Sequence, residues 1–96
     1  MPKLSSNKRL VIPFEFRKRL SWLEPISVAV CYDINLDMIL LKKEDDSFHE
    51  FVITFNKLDS KGRISMSEDC VKLLKATFDD YFVVFMKENT IYIKKV

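Results

Sequence analysis

The stretch KLSSNKRLVIP, from Lys3 to Pro13, returns in altered form as KLDSKGRISMS, from Lys57 to Ser67. In this alignment Lys3 lies over Lys57, Leu4 over Leu58, Ser6 over Ser60 and Arg9 over Arg63, with Leu10 opposite Ile64. Further along, FRKRL (Phe16 to Leu20) falls on CVKLL (Cys70 to Leu74), and ILLKK (Ile39 to Lys43) falls on IYIKK (Ile91 to Lys95). An internal repeat organises the whole reading, because each copy is a supersecondary unit that cannot bury its apolar face alone.

Both copies read alike locally. In the first, Pro13 suits the first helical position, where its missing N–H is no loss, and Phe16, Leu20 and Leu23 recur at helical spacing. In the second, Ser67 is a good N-cap, Glu68 and Asp69 fall where the helix dipole favours acids, and Cys70, Leu74 and Phe78 mark the buried stripe. After each helix the pattern predicts a hairpin, Ser27–Tyr32 with Met38–Lys42 and Tyr81–Lys87 with Thr90–Lys95. The turn at Glu88 and Asn89 suits the left-handed tolerance of Asn, and Asp33 to Asp37 reads as a longer loop. Phe48 to Leu58 alternates as a further strand with Phe51, Ile53 and Phe55 on one side, and the charged stretch Lys43 to Ser47 is the linker. The expected division is a first repeat over 1–47 and a second over 48–96, sharing one core. The fold class is mainly β with two short helices, a barrel-like body in which two halves interlock as a pseudo-dimer.

Composition supports one ordered core. The chain has 96 residues, 48% of them hydrophobic, and eight Phe against a single Gly, which is too short for two ordinary domains and gives no sign of a disordered tail. No run approaches the roughly 20 apolar residues of a membrane span, and the N-terminal residues lack the apolar core of a secretory signal, so a cytoplasmic location is expected. Cys31 and Cys70 lie in apolar segments without metal-ligand spacing and are expected as buried free thiols. With one His, one Gly and no nucleophile beside a base, catalysis, a cofactor and a small-molecule substrate find no support. The aspartates Asp33, Asp37, Asp79 and Asp80 sit beside turns, where local hydrogen bonding explains them better than a metal does.

The loop LDSKGRISMS, Leu58 to Ser67, followed by a short helix and a hairpin ending in IYIKK, resembles the AbrB family, which includes the AbrB, SpoVT and MazE types. That family carries a D-x-x-G-R-[IV]-x-[IL]-P loop, a helix often containing L-R-x-x-L, and a hairpin. The first copy keeps Pro13 and Arg17 of that pattern but has Lys8 in place of Gly. The second keeps Gly62 but has Ser67 in place of Pro and Val71 in place of the helix Arg. Two units in one chain is the arrangement of the MraZ type. The resemblance implies a double swapped-hairpin barrel, a nucleoid-associated transcription regulator, and double-stranded DNA bound by basic residues of the loop and early helix. Carried over by position, these are Arg9 and Arg63 in the loops, Lys3 and Lys57 in the preceding strands, Arg17 and Lys18 in the first helix and Lys72 in the second, with Lys8 and Lys61 adjacent.

Independently of any family, basic loops repeated about an approximate two-fold suit inverted half-sites. Arg can fork onto a guanine edge whereas Lys serves as a phosphate point charge, so Arg9, Arg63 and Arg17 are the expected base readers. The net charge is only +2, but residues 1–20 hold six Lys and Arg against Glu15 alone, which favours the first copy as the stronger contributor. Exposed cations are commonly no more than a solvated face, Gly62 fits a tight turn whatever the function, and Trp22 and the Phe-rich strand read as core. Two other functions compete with DNA regulation: an antitoxin, which would need an extended tail to wrap a toxin, and an assembly module that kept the barrel without DNA binding. Homo-oligomerisation stays open in each.

Overall fold

The computed structural model describes residues 2–44 and 51–96. In chain order the elements are β1 (Arg9–Val11), α1 (Phe14–Leu20), β2 (Ile26–Asp33), β3 (Met38–Lys43), β4 (Phe51–Leu58), β5 (Arg63–Ser65), α2 (Glu68–Leu74), β6 (Phe82–Lys87) and β7 (Thr90–Lys95). Most of the expected linker, the start of the expected strand at Phe48 and the single histidine, His49, lie outside the described residues. The strands form two antiparallel sheets, a two-stranded ribbon β1-β5 and a five-stranded sheet ordered β4-β2-β3-β7-β6. The protein is therefore mainly β with two helices, as the pattern predicts, and its described strands make an open sheet and a ribbon rather than one closed ladder.

Strand pairing follows the repeat. In the ribbon, Arg9 pairs with Ser65, Leu10 with Ile64 and Val11 with Arg63. Since Leu10 and Ile64 are also equivalent in the repeat, this central pair lies on a local two-fold. The same relation recurs where the copies meet in the large sheet, Ile39 with Ile93, Leu40 with Tyr92 and Leu41 with Ile91. Backbone hydrogen bonds obey it too: Ile12 N–H donates to the Gly62 carbonyl at 2.8 Å, and its counterpart Met66 N–H donates to the Lys8 carbonyl at 2.7 Å.

One core fills the space between the large sheet's inner face, the ribbon and the helices, drawing Leu4, Leu10, Ile12, Val28, Val30, Ile39, Leu41, Leu58, Ile64, Met66, Cys70, Phe82, Ile91 and Ile93 from both copies. Each such side chain is worth about 1.5–3 kcal/mol when removed from water, and neither copy could enclose them separately. Trp22 is buried with them, as read from the sequence.

Four local expectations change. Each helix stops after seven residues because the next residue, Ser21 or Lys75, turns left-handed, its N–H closing onto carbonyls of the last turn. Leu23 and Phe78 therefore fall beyond the helices and are exposed rather than part of a buried stripe. A bulge opposite Val30 and Cys31 adds a residue to β4, so Phe55, paired with Ala29, faces the opposite side of the sheet from Phe51, paired with Tyr32. In the β6–β7 turn the left-handed residue is Glu88, not Asn89. Ser67 does cap α2, its hydroxyl accepting from Cys70 N–H at 3.3 Å. Pro13 stands at the cap of α1, one position before the helix.

Candidate nucleic-acid interface

Leu10 and Ile64 point inward from the ribbon, which turns Arg9, Val11, Arg63 and Ser65 outward by strand alternation. The register sets Arg9 across from Ser65 and Arg63 across from Val11, so the two arginines occupy diagonal corners of one exposed face. Lys57, at the end of β4, joins them: Arg9, Lys57, Asp59, Arg63 and Ser65 line one concavity of about 230 Å3. Asn56 braces this edge, its side-chain amide donating to the Ser65 carbonyl at 2.7 Å.

Equivalent turns lead into the two ribbon strands, but their chemistry differs. Ser5 Oγ accepts from Arg9 N–H at 3.1 Å; at the equivalent place Asp59 Oδ1 accepts from Arg63 N–H and Lys61 N–H, both at 2.9 Å. Ser5 Oγ also donates to Asn7 Oδ1. Asp59 adds an ion pair, its Oδ2 lying 2.7 Å from Arg63 Nε. The backbone N–H of Arg63, its guanidinium and then the N–H of Lys61 hold the Asp59 carboxyl below its ordinary 3.8. Among the described residues no carboxylate pairs with Arg9.

The other cations named from sequence are scattered. Lys8 Nζ is 2.8 Å from Glu68 Oε1, and that hydrogen bond, with the lysine charge, pulls the Glu68 carboxyl below its ordinary 4.5. Lys3 is 3.3 Å from Asp79 and lies over the Tyr81 ring at 5.5 Å. Lys61 is exposed at the tip of the Asp59–Gly62 turn, and Lys18 is exposed on α1. Lys72 lines a separate concavity of about 410 Å3 with Phe51, Ile53, Asp69 and Leu73.

Arg17 corrects the expectation of a base reader. It is 6% exposed, with Nε donating to the Ile12 carbonyl at 3.1 Å and Nη1 to the Ser60 carbonyl at 3.3 Å. Its guanidinium crosses from the first copy to the turn of the second and passes over Gly62, where a Cβ would stand 2.5 Å from Nε. Two of the three departures noted in the sequence thereby acquire a common meaning. Gly62 faces Arg17, whereas the copy with Lys8 in place of Gly is matched by Val71 in place of Arg.

Asp59 and Glu68, with lowered values in the fold, add stability that is complete above their ordinary values and lost as pH falls through the lower folded ones. An Asp59→Asn variant is accordingly expected to be less stable than wild type at neutral pH and to lose less on acidification, the two converging at low pH. Parallel denaturation midpoints across an acid titration would show that Asp59 is not linked to folding.

Among the described residues no cluster of three or more His, Cys, Asp or Glu could hold a metal, and no helix is long and apolar enough to cross a membrane. Burial pushes the Cys70 thiol above its ordinary 9.0, and Asp33 and Asp37 are spent on their loop: Asp33 accepts from Asn35 and Leu36 N–H, and Asp37 from the Tyr32 hydroxyl. No family model, curated protein or solved structure matches the chain.

Proposed function

We propose that this protein binds double-stranded DNA through the outer face of the β1–β5 ribbon and acts as a transcription regulator without catalysis. The observation that carries the reading is the diagonal pair Arg9 and Arg63, related by the local two-fold and flanked by Lys57. A two-stranded ribbon fits the major groove, about 12 Å wide, and three strand residues span about 10 Å. In that groove the arginines can fork onto guanine edges while Lys57, Lys61 and Lys8 contact phosphates.

The same reading takes the fold as a double swapped-hairpin arrangement within one chain, similar to the tandem AbrB-like units of the MraZ type. Its support is the interleaving of the copies, β1 with β5 and β3 with β7, and the reach of Arg17 into the turn of the second copy.

Fluorescence anisotropy with duplex DNA at several salt concentrations tests it. Affinity should fall by about 0.9 log unit per log unit of salt for each phosphate neutralised, and a folded Arg9→Ala, Arg63→Ala double variant should lose most binding. Salt-independent binding, or an unaffected double variant, would remove the ribbon as the interface.

A further inference from the structure

The local two-fold exposes an asymmetry at the two ends of the large sheet. The outer edge of β2 is covered by β4 from Ile26 to Tyr32. Among the described residues the corresponding edge of β6 meets only a single bridge, Lys3 with Tyr81, and one hydrogen bond, Phe82 N–H to the Pro2 carbonyl at 2.8 Å. Beyond Phe82 the edge ends the sheet. Since Phe82 directs its N–H outward, alternation directs the N–H and C=O of Val84 and Met86 outward too. The strand that presents them, FVVFMK, is rich in strong β formers and carries its only charge at Lys87. An apolar edge of this kind is a template for another strand.

We propose that a second copy of this chain pairs antiparallel with the free edge of β6, Phe85 lying opposite Phe85 on a molecular two-fold. In that register Val84 faces Met86 of the second copy, each donating and accepting once, and Val83 faces Lys87. Every outward backbone group from Val83 to Lys87 is satisfied. Centring on Val84 instead sets Met86 of the second copy against Phe82, whose N–H already serves Pro2.

Side-chain chemistry favours a copy of the same chain over an unrelated strand. Lys87 meets an apolar residue rather than itself, avoiding the cost of like charges placed directly opposite. Phe85 already stacks on Tyr92, ring centroids 5.0 Å apart and planes 4° from parallel. Placing Phe85 beside its own copy continues that stack as a ladder of rings across the junction.

The axis of such a pair stands perpendicular to the sheet, so both copies present their inner faces, and with them both ribbons, to the same side. Two-fold association is also the commonest closed assembly. The pairing itself does not depend on the DNA reading, and its test uses no DNA.

Sedimentation of the full chain over a range of concentrations should show a reversible dimer. Met86→Pro removes a donor that faces only the open edge, a position where a strand tolerates proline. It should leave circular dichroism and melting near wild type while raising the dissociation constant by at least about tenfold. A second variant, Phe85→Cys, should form a covalent dimer under mild oxidation, because facing residues of a non-hydrogen-bonded pair are within disulfide reach and both native thiols are buried. Lys87→Cys, set opposite Val83, should not. A wild-type chain that stays monomeric, a dimer untouched by a folded Met86→Pro, or equal crosslinking of both cysteine variants would overturn the proposal. Should Met86→Pro unfold, the cysteine pair decides.

Discussion

Gly62→Ala should destabilise the protein by about 3–5 kcal/mol, the sum of two effects. Gly62 has φ +82°, a conformation that costs an L residue about 1–2 kcal/mol. The new methyl would also stand 2.5 Å from Arg17 Nε and 2.6 Å from its Cζ. A guanidinium at the end of a long side chain could ordinarily swing away. Here it is buried and donates to the Ile12 and Ser60 carbonyls, so moving it sacrifices charge-assisted hydrogen bonds of about 1.5–3 kcal/mol each and leaves the buried Ile12 carbonyl without them.

The first copy shows that backbone geometry is not the whole cost, because Lys8 holds the same turn at φ 62°. A double-mutant cycle with Arg17→Val, the residue of the second copy, separates the terms. Gly62→Ala should cost only about 1–2 kcal/mol in that background, leaving a coupling of about 2 kcal/mol or more. Additive losses, measured by chemical denaturation, would show that Arg17 and Gly62 do not act through each other.

Arg9→Ala should weaken duplex binding by about 10–100-fold, the worth of a bidentate contact to a base, while Arg63→Ala costs several-fold less. Both arginines occupy equivalent places on the ribbon, and the difference lies in what precedes them. Arg63 must release Asp59, whose oxygen is 2.7 Å away, and carries that carboxylate toward the phosphates; Arg9 is preceded by Ser5, which braces the same turn without charge. Asp59→Ser installs the first copy's chemistry in the second and should raise affinity, most at low salt where the repulsion is least screened. Equal losses from the two alanine variants, with no gain from Asp59→Ser, would place the arginines in like surroundings on bound DNA and discard the asymmetry. The sequence suggests the same ranking from the arginine count of the first copy, but for a reason the fold does not keep, since Arg17 is buried.

Legibility followed the range of the interactions involved. The hairpins and the cap at Ser67 could be read because alternation and capping are set by residues close in the chain, whereas Arg9 and Arg63, expected in loops, stand on the short strands β1 and β5, which form only because the two copies pair with each other. Leu23 and Phe78 were misplaced because helical spacing says which residues share a face, not where a left-handed residue will end the helix. Phe55 was misplaced because one bulge reverses strand phase without changing composition. For Arg17 a signal was available: the Gly and the Arg of the pattern are retained in opposite copies, which is what contact between the copies requires.

By itself, then, the sequence determined the two helices, the two hairpins and the strand before the second copy, the duplication, and the need for the halves to bury one another, because apolar period and repeat similarity are properties of the linear chain. Only the tertiary structure decided which cations face solvent together, that one arginine is a brace under Gly62, that Asp59 restrains its neighbour, and that β6 stands at the end of the sheet. Except for the Asp59–Arg63 pair, which is only four residues apart, those outcomes depend on which distant parts of the chain meet, as Arg9 meets Ser65 and Arg17 meets Ser60, and no local periodicity encodes such meetings.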